Sequence, residues 1–317
     1  MADLGPSTHS AREGASGMSC TSNAASELES GIAASLSVLL LDEPVLSVRV
    51  LDTHRRDHRF ARVRTGDQRE LFVKAFHASA AAGFEAEASA YQQLAGRDLS
   101  PRLLRIDWSM RLLVMEARGS TRLRDLSARP LRAKLEAVPT LYADLLDLRS
   151  VRPSRDYRAR LAHHVRSLAG VPQLHDLPSE KVIADLVDAM AEIPVHGDFQ
   201  PSNILVDDET LVIDFESFGL GVPAVDVARV AYNPTIDLSA PERSALAAEM
   251  LDRVRAKTGV QTSALQFAAA CCYWAITCAG YFSTVAADDP SAARSSDVAL
   301  LSRRPLDLAA ELWNEGH

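Results

Sequence analysis

Three oxygen-bearing side chains stand close together in the middle of this chain. Asp198, Asn203 and Asp214 lie within the run VHGDFQPSNILVDDETLVIDFE, residues 195–216. Ile204-Leu205-Val206 and Leu211-Val212-Ile213 are short β-rich runs, and Asp207, Asp208, Glu209 and Thr210 separate them as turn residues. A hairpin folded about the Asp208–Glu209 bond sets Asn203 opposite Asp214. An amide oxygen and a carboxylate then face one space, with Asp198 on the loop that enters it. Hard oxygen donors of this kind suit Mg²⁺, which keeps several waters and takes one or two carboxylates plus substrate phosphates. A further carboxylate beside the metal can accept a proton. The chemistry this arrangement predicts is phosphoryl transfer.

Elements on both sides must position these groups. Residues 1–30 are rich in Ser, Ala, Gly and Thr without periodicity and read as a disordered tail, with Glu27 to Leu41 a candidate helix leading into the fold. VLSVRVLD, RFARVR and ELFVKAF then read as an antiparallel meander between Val45 and Phe76. A helix over Phe84–Leu94 carries Phe84, Ala88, Tyr91 and Leu94 on one face. Strands at Leu103–Asp107 and Leu112–Met115 complete a five-stranded sheet that ends near Ala117, before Gly119. The expected division is therefore an N-terminal lobe over 31–117 and a helical lobe over 118–317. Helices are predicted at Pro130–Leu148, Tyr157–Leu168, Glu180–Ala191 and beyond Ala240. The uncharged run Ala264–Ala287 is long enough to span a bilayer, but its Ala- and Cys-rich composition points to a buried core helix.

Composition narrows the function. The chain has 317 residues, 47% of them hydrophobic and 24% charged, so a sizeable core is available to two lobes. A net charge of −8 and a pI near 5.6 argue against nucleic acid or an anionic membrane as partner, and suit a cationic small molecule. Cys20, Cys271, Cys272 and Cys278 have no zinc-like spacing, and reduced thiols in core packing are expected. No basic stretch followed by an apolar one stands near Met1, so a cytoplasmic location is expected. His163 and His164 sit in a basic helix and read as a solvated face.

His196-Gly197-Asp198, four residues, Asn203, then Asp214-Phe215-Glu216 resembles the aminoglycoside phosphotransferase and choline kinase family, which shares the protein-kinase-like fold. The segment Gly219–Ala228 also resembles the stretch that follows the metal-binding acid there. The resemblance implies an α+β fold of two lobes, with ATP and Mg²⁺ as cofactors and a small-molecule hydroxyl as acceptor. By matched position Asp198 is implied as the catalytic base, and Asn203 and Asp214 as metal ligands. His196 is implied as a packing residue, and Asp226 as a buried acid that ties the catalytic loop. Lys74 ends a strand as the phosphate-pairing lysine does. Glu85 and Glu87 qualify as its partner, and the E-x-x-A-Y-x-x-L phrasing favours Glu87. Met115, Glu116 and Ala117 resemble the hinge that receives adenine. The first β-turn departs from the pattern: HRRDHR carries no glycines, leaving Arg55, Arg56 or Arg59 as candidate phosphate contacts.

The expected acceptor is cationic, an aminoglycoside or related antibiotic, held by carboxylates drawn from Asp237, Glu242, Asp307, Glu311 and Glu315. The alternative is a metabolic kinase acting on an amino alcohol, a sugar or a homoserine-like acceptor. A non-catalytic nucleotide-binding regulator is disfavoured because Asp198, Asp214 and Lys74 are all retained.

Overall fold

The computed structural model describes residues 44–51, 58–150, 152–288 and 296–315. Five strands form one antiparallel sheet: β1 (Val45–Leu51), β2 (His58–Thr65), β3 (Glu70–Phe76), β4 (Leu103–Asp107) and β5 (Leu112–Glu116), in the order β1-β2-β3-β5-β4. This is the predicted meander, with strand bounds within a residue or two of those read from the sequence. Its alternation decides what each face does. Ala61, Val63, Leu71, Val73 and Val114 pack together on one side. Phe72, Lys74 and Phe76 take the other side of β3, where Phe60 pairs with Lys74 and Met115 with Phe72 across the ladders.

Helix α1 (Ala81–Gln93) crosses beneath that second face. Phe84, Ala88, Tyr91 and Leu94 are all buried, as their helical spacing requires. Strand β5 then leads through 117–122 into a helical lobe. Its elements are α2 (Ala128–Leu135), α3 (Val138–Leu145), α4 (Tyr157–Ser167), α5 (Glu180–Asp188), α6 (Pro223–Ala231), α7 (Ala240–Thr258), α8 (Ala264–Asp288), α9 (Ser296–Leu301) and α10 (Arg304–Glu315). The fold is α+β and protein-kinase-like, as the resemblance implied.

Helix α8 is the centre of the larger lobe. It is long and apolar enough to cross a membrane by length and composition, yet Phe267 to Thr277 are buried inside the protein. Helices α4, α5, α6, α9 and α10 all pack against it. Ala268, Ala269, Ala270, Ala275, Ala279 and Gly280 keep its surface narrow enough for neighbours to approach closely. At Gly280 a Cβ would collide with the His164 ring of α4.

Several expectations need correction. The single helix expected over Pro130–Leu148 is two, because the chain turns at Glu136 and Ala137 and Pro139 opens the second. Only His163 is solvated; His164 is buried against α8, and its Nδ1 has no hydrogen-bond partner among the described residues. Burial, with Arg160 and His163 adding positive charge, pulls its imidazole down to about 4. The expected tail over 1–30 and the candidate helix Glu27–Leu41 lie outside the described residues, as do Cys20, Arg55 and Arg56.

Candidate active site

Strands β6 (Ile204–Leu205) and β7 (Leu211–Val212) form the hairpin read from the sequence, but its register is shifted by one residue. Ile204 pairs with Val212 and Leu205 with Leu211, so Asn203 faces Ile213 instead of Asp214. The cause lies outside the hairpin. Asp207 accepts bonds from the backbone N–H groups of Ser120 and Thr121 and from the Thr121 hydroxyl, at 3.0, 3.2 and 2.8 Å. The Val206 N–H donates to the Thr121 carbonyl at 3.0 Å. Val206 and Asp207 are thereby drawn onto the segment after the hinge and out of the ladder. Asp214 still reaches the shared space, because its backbone enters the left-handed region at φ 68°, ψ 61°. An aspartate tolerates that conformation better than most residues.

The loop before the hairpin is held from beneath. His196 and Asp226 are buried at 1% exposure, and the Asp226 carboxylate accepts the Gly197 N–H at 2.8 Å. The His196 Nε2 lies 3.1 Å from the Ile213 carbonyl, and the Asp198 N–H donates to its Nδ1 at 3.2 Å. That pattern requires a neutral ring, and burial accordingly pulls the His196 imidazole below its ordinary value. The ring packs against Phe199 and Phe215, and Phe215 meets Tyr91 of α1. Gly197 takes φ 77°, and a Cβ there would meet Arg155 and the Ser217 carbonyl.

These supports fix the chemical groups. Asn203 Nδ2 donates to the Asp198 carbonyl and to its Oδ2, both at 2.9 Å, while Gln200 Nε2 reaches Oδ2 at 3.0 Å. Arg229 stands 3.6 Å from Asp198 Oδ1 and 3.2 Å from Asp226 Oδ1, and also donates to the Gly197 carbonyl. Across the cleft Lys74 Nζ contacts Glu87 Oε2 at 2.7 Å, Asp214 Oδ1 at 2.5 Å and Glu216 Oε2 at 3.5 Å. It lies 4.8 Å from the Phe76 ring centroid. Glu85, the other candidate partner, is exposed on the far face of α1. Lys74 remains charged: burial opposes its proton, but Asp214, Glu87 and Glu216 together outweigh that and raise its pKa. Glu87 is pushed up to about 8, chiefly by burial, with Lys74 pulling the other way.

Glu87, Asp214 and Glu216 bring oxygens within 4.8 Å of one another, a spacing that could hold a cation. The Lys74 ammonium already fills that role. A divalent ion fits better between Asp214 and Asn203, whose amide nitrogen is spent on Asp198 and whose oxygen is left for a hard cation.

The base, metal and nucleotide residues read from the sequence line one cleft of about 870 Å³: Asp198, Asn203, Asp214, Lys74, Glu87 and the hinge Met115, Glu116 and Ala117. The hinge needs one refinement. The Glu116 and Ala117 N–H groups already bond the carbonyls of Arg102 and Glu70, each at 3.0 Å. The next N–H, that of Arg118, meets no acceptor among the described residues and also borders the cleft.

Sequence reasoning missed the arginines. Arg229 follows Asp226 by three residues in an otherwise apolar helix, and that paired spacing was the available signal. Arg155 bonds the Gly197 and Ser217 carbonyls from a loop some forty residues upstream. None of Asp237, Glu242, Asp307, Glu311 or Glu315 lines the cleft. Glu242 is bound by Arg132 and caps α7 with Ser239, while Asp307 and Glu311 pair with Arg304. Arg59 is exposed and stands away from the cleft.

Comparison with solved structures finds the same fold. The choline kinase LicA from Streptococcus pneumoniae superimposes with a TM-score of 0.65 at 14% identity, covering 90% of this chain and 99% of that one. Spectinomycin phosphotransferase APH(9)-Ia, crystallised with ADP and spectinomycin, gives 0.62 at 10% identity, covering 88% and 98%. A thermostable mutant of aminoglycoside phosphotransferase APH(4)-Ia gives 0.58 at 17%, covering 90% and 99%. No curated protein matches the chain by sequence. The profile of the phosphotransferase enzyme family matches residues 51–258, a span that includes Lys74, Glu87, the hinge, the catalytic-loop segment and α6, and the chain belongs to that family.

Proposed function

We propose that this protein transfers the γ-phosphoryl group of ATP, with Mg²⁺, to a hydroxyl of a small molecule. The carrying observation is that a single cleft holds Asp198 locked by Asn203 on one side and Lys74 locked onto Asp214 on the other. Asp198 orients the acceptor hydroxyl and takes its proton as the new O–P bond forms. Asn203 and Asp214 would hold Mg²⁺, which, when bound, shields the phosphate charge and stabilises the departing diphosphate. Lys74 offers its ammonium to the phosphates, and Glu87 keeps it extended across the cleft. The backbone from Met115 to Arg118 receives the adenine. A cytoplasmic location, where ATP is abundant, is part of this reading.

The acceptor end favours the metabolic alternative over a polycationic antibiotic. An aminoglycoside's ammonium groups need carboxylates, and the five acids singled out for that role line no part of the cleft among the described residues.

The test is ADP release and phosphorylated product, measured over a panel of hydroxyl compounds with ATP and Mg²⁺. Asp198→Ala is expected to lower turnover on the order of 10³-fold or more, with ATP affinity within a few-fold of the parent. Turnover that survives this substitution removes Asp198 from the reaction.

A further inference from the structure

Beyond Asp198 the cleft continues between α4, α8 and α9, and its lining changes character. Trp274 and Phe282 of α8 and Val298 and Leu301 of α9 form an apolar wall. Cys278 stands among them as part of that wall, because burial pushes its thiol up to about 12 and leaves no thiolate to react. Asn233 nearby is spent: its Oδ1 accepts from the Thr235 N–H and hydroxyl, at 3.0 and 2.7 Å, and its amide donates to the Arg229 carbonyl at 3.2 Å.

The charges are uneven. Five carboxylates line the whole cleft, and each has a cation or donor of its own. Glu87, Asp214 and Glu216 gather round Lys74, and Glu116 is bound by Arg102 and Arg118. Asp198 faces Arg229 and accepts from Asn203 and Gln200. Arg160 of α4 is the opposite case. It lines the acceptor end, yet its guanidinium makes no ion pair or hydrogen bond with any described residue. Its side chain is exposed to solvent at the mouth of the cleft; packing around its stem lowers its pKa, with Tyr273 and Asp198 pulling the other way and Arg229 and Arg155 adding positive charge. A guanidinium left in that state is a ready partner for an anion, preferably a planar one that takes two parallel N–H donors.

We propose that the acceptor is an amphipathic hydroxy acid: an aromatic or branched apolar body seated against Trp274, Phe282, Val298 and Leu301, a carboxylate on Arg160, and the hydroxyl at Asp198. This rests on the phosphotransfer reading above. In the step it implies, the hydroxyl oxygen bonds to the γ-phosphorus, the bond from that phosphorus to the β,γ-bridging oxygen breaks, ADP leaves, and the hydroxyl proton passes to Asp198.

The experiment uses the full chain with ATP and Mg²⁺. Its probes are 3-phenyllactate, 4-(hydroxymethyl)benzoate and 2-hydroxyisocaproate, the methyl ester of each, and kanamycin as a polycation. Binding of the same probes to the nucleotide-loaded protein is followed by calorimetry. At least one acid is expected to bind and to be phosphorylated in preference to its ester by about 10- to 100-fold, the worth of one charge-assisted contact. Arg160→Met should collapse that preference, and Trp274→Ala should weaken acid and ester alike. Preference for kanamycin, or an acid-to-ester ratio untouched by Arg160→Met, overturns the proposal. An acid that binds through Arg160 without any ADP forming keeps the pocket assignment and overturns the phosphotransfer reading instead. Absence of binding by every acid overturns the pocket assignment even if another hydroxyl is turned over.

Discussion

The two ends of the cleft are built on opposite principles. At the nucleotide end, charge is concentrated and mutually satisfied in dry surroundings: Lys74, 2% exposed, is ringed by Glu87, Asp214 and Glu216. At the acceptor end the wall is aromatic and aliphatic, and Arg160 stands without a partner among the described residues. The first arrangement is rigid and indifferent to which acceptor arrives, since every γ-phosphoryl group presents the same charges. The second leaves its one strong interaction open for the ligand. A site that handles a constant nucleotide and a particular acceptor has reason to be built this way.

The contrast is sharpest in what happens when one charge is removed. Lys74→Met removes the cation that Glu87, Asp214 and Glu216 share and should cost about 3–5 kcal/mol of unfolding free energy, read as a shift in the urea midpoint, together with loss of ATP binding. Adding Glu87→Gln should restore part of the stability and none of the nucleotide affinity. Arg160→Met, by contrast, removes a charge that pairs with nothing described, and should move stability by roughly 0.5 kcal/mol or less. Equal losses for the two substitutions would erase the distinction between the ends.

A smaller effect is expected where the two ends meet. Asp226 binds the Gly197 N–H and Arg229, and so holds the loop that carries Asp198. Asp226→Asn keeps the shape but puts an amide where two donors converge. It should cost about 1–3 kcal/mol, seen in thermal unfolding, and lower kcat more than it raises the KM for ATP. A change confined to the KM for ATP would show that the loop serves the nucleotide end alone.

What was legible in the sequence follows the same division. The nucleotide end is written in short spans: HGD and Asn203 lie within eight residues, DFE follows eleven later, and Lys74 stands at the end of an apolar strand run. Glu87 could be reached by counting along one helix. The hairpin register is not legible locally, because a distant contact, Asp207 with Ser120 and Thr121, sets it. The acceptor end has no local signature at all. Arg160, Trp274 and Val298 meet only because α4, α8 and α9 pack together, and an apolar residue on an Ala-rich helix reads as core until a cavity opens beside it. The carboxylates singled out from the sequence were surface acids for a related reason: their arginine partners could not be seen from the chain alone.

A pH-dependent effect is expected at the back of the acceptor wall. His164 lies one helical turn beyond Arg160 on α4, and its ring is pressed against Gly280 of α8 with Nδ1 unsatisfied. Its imidazole is held near 4, burial being the main cause and Arg160 and His163 adding to it. A basic group whose pKa is depressed on folding contributes stability that is present above its unfolded value and lost as the pH falls toward its folded one. Stability should therefore decline from pH 6.5 to 4 by about 1–2 kcal/mol. His164→Leu fills the same space without a titrating nitrogen, so the acid limb of its stability curve, followed by urea unfolding, should flatten. Glu87 at the other end works in the reverse sense: its carboxyl is raised to about 8, so its contribution is lost as the pH rises from 4.5 to 8. The His164 variant should leave that upper limb in place, and a variant that flattened both limbs would mean that the two ends of the cleft titrate as one unit.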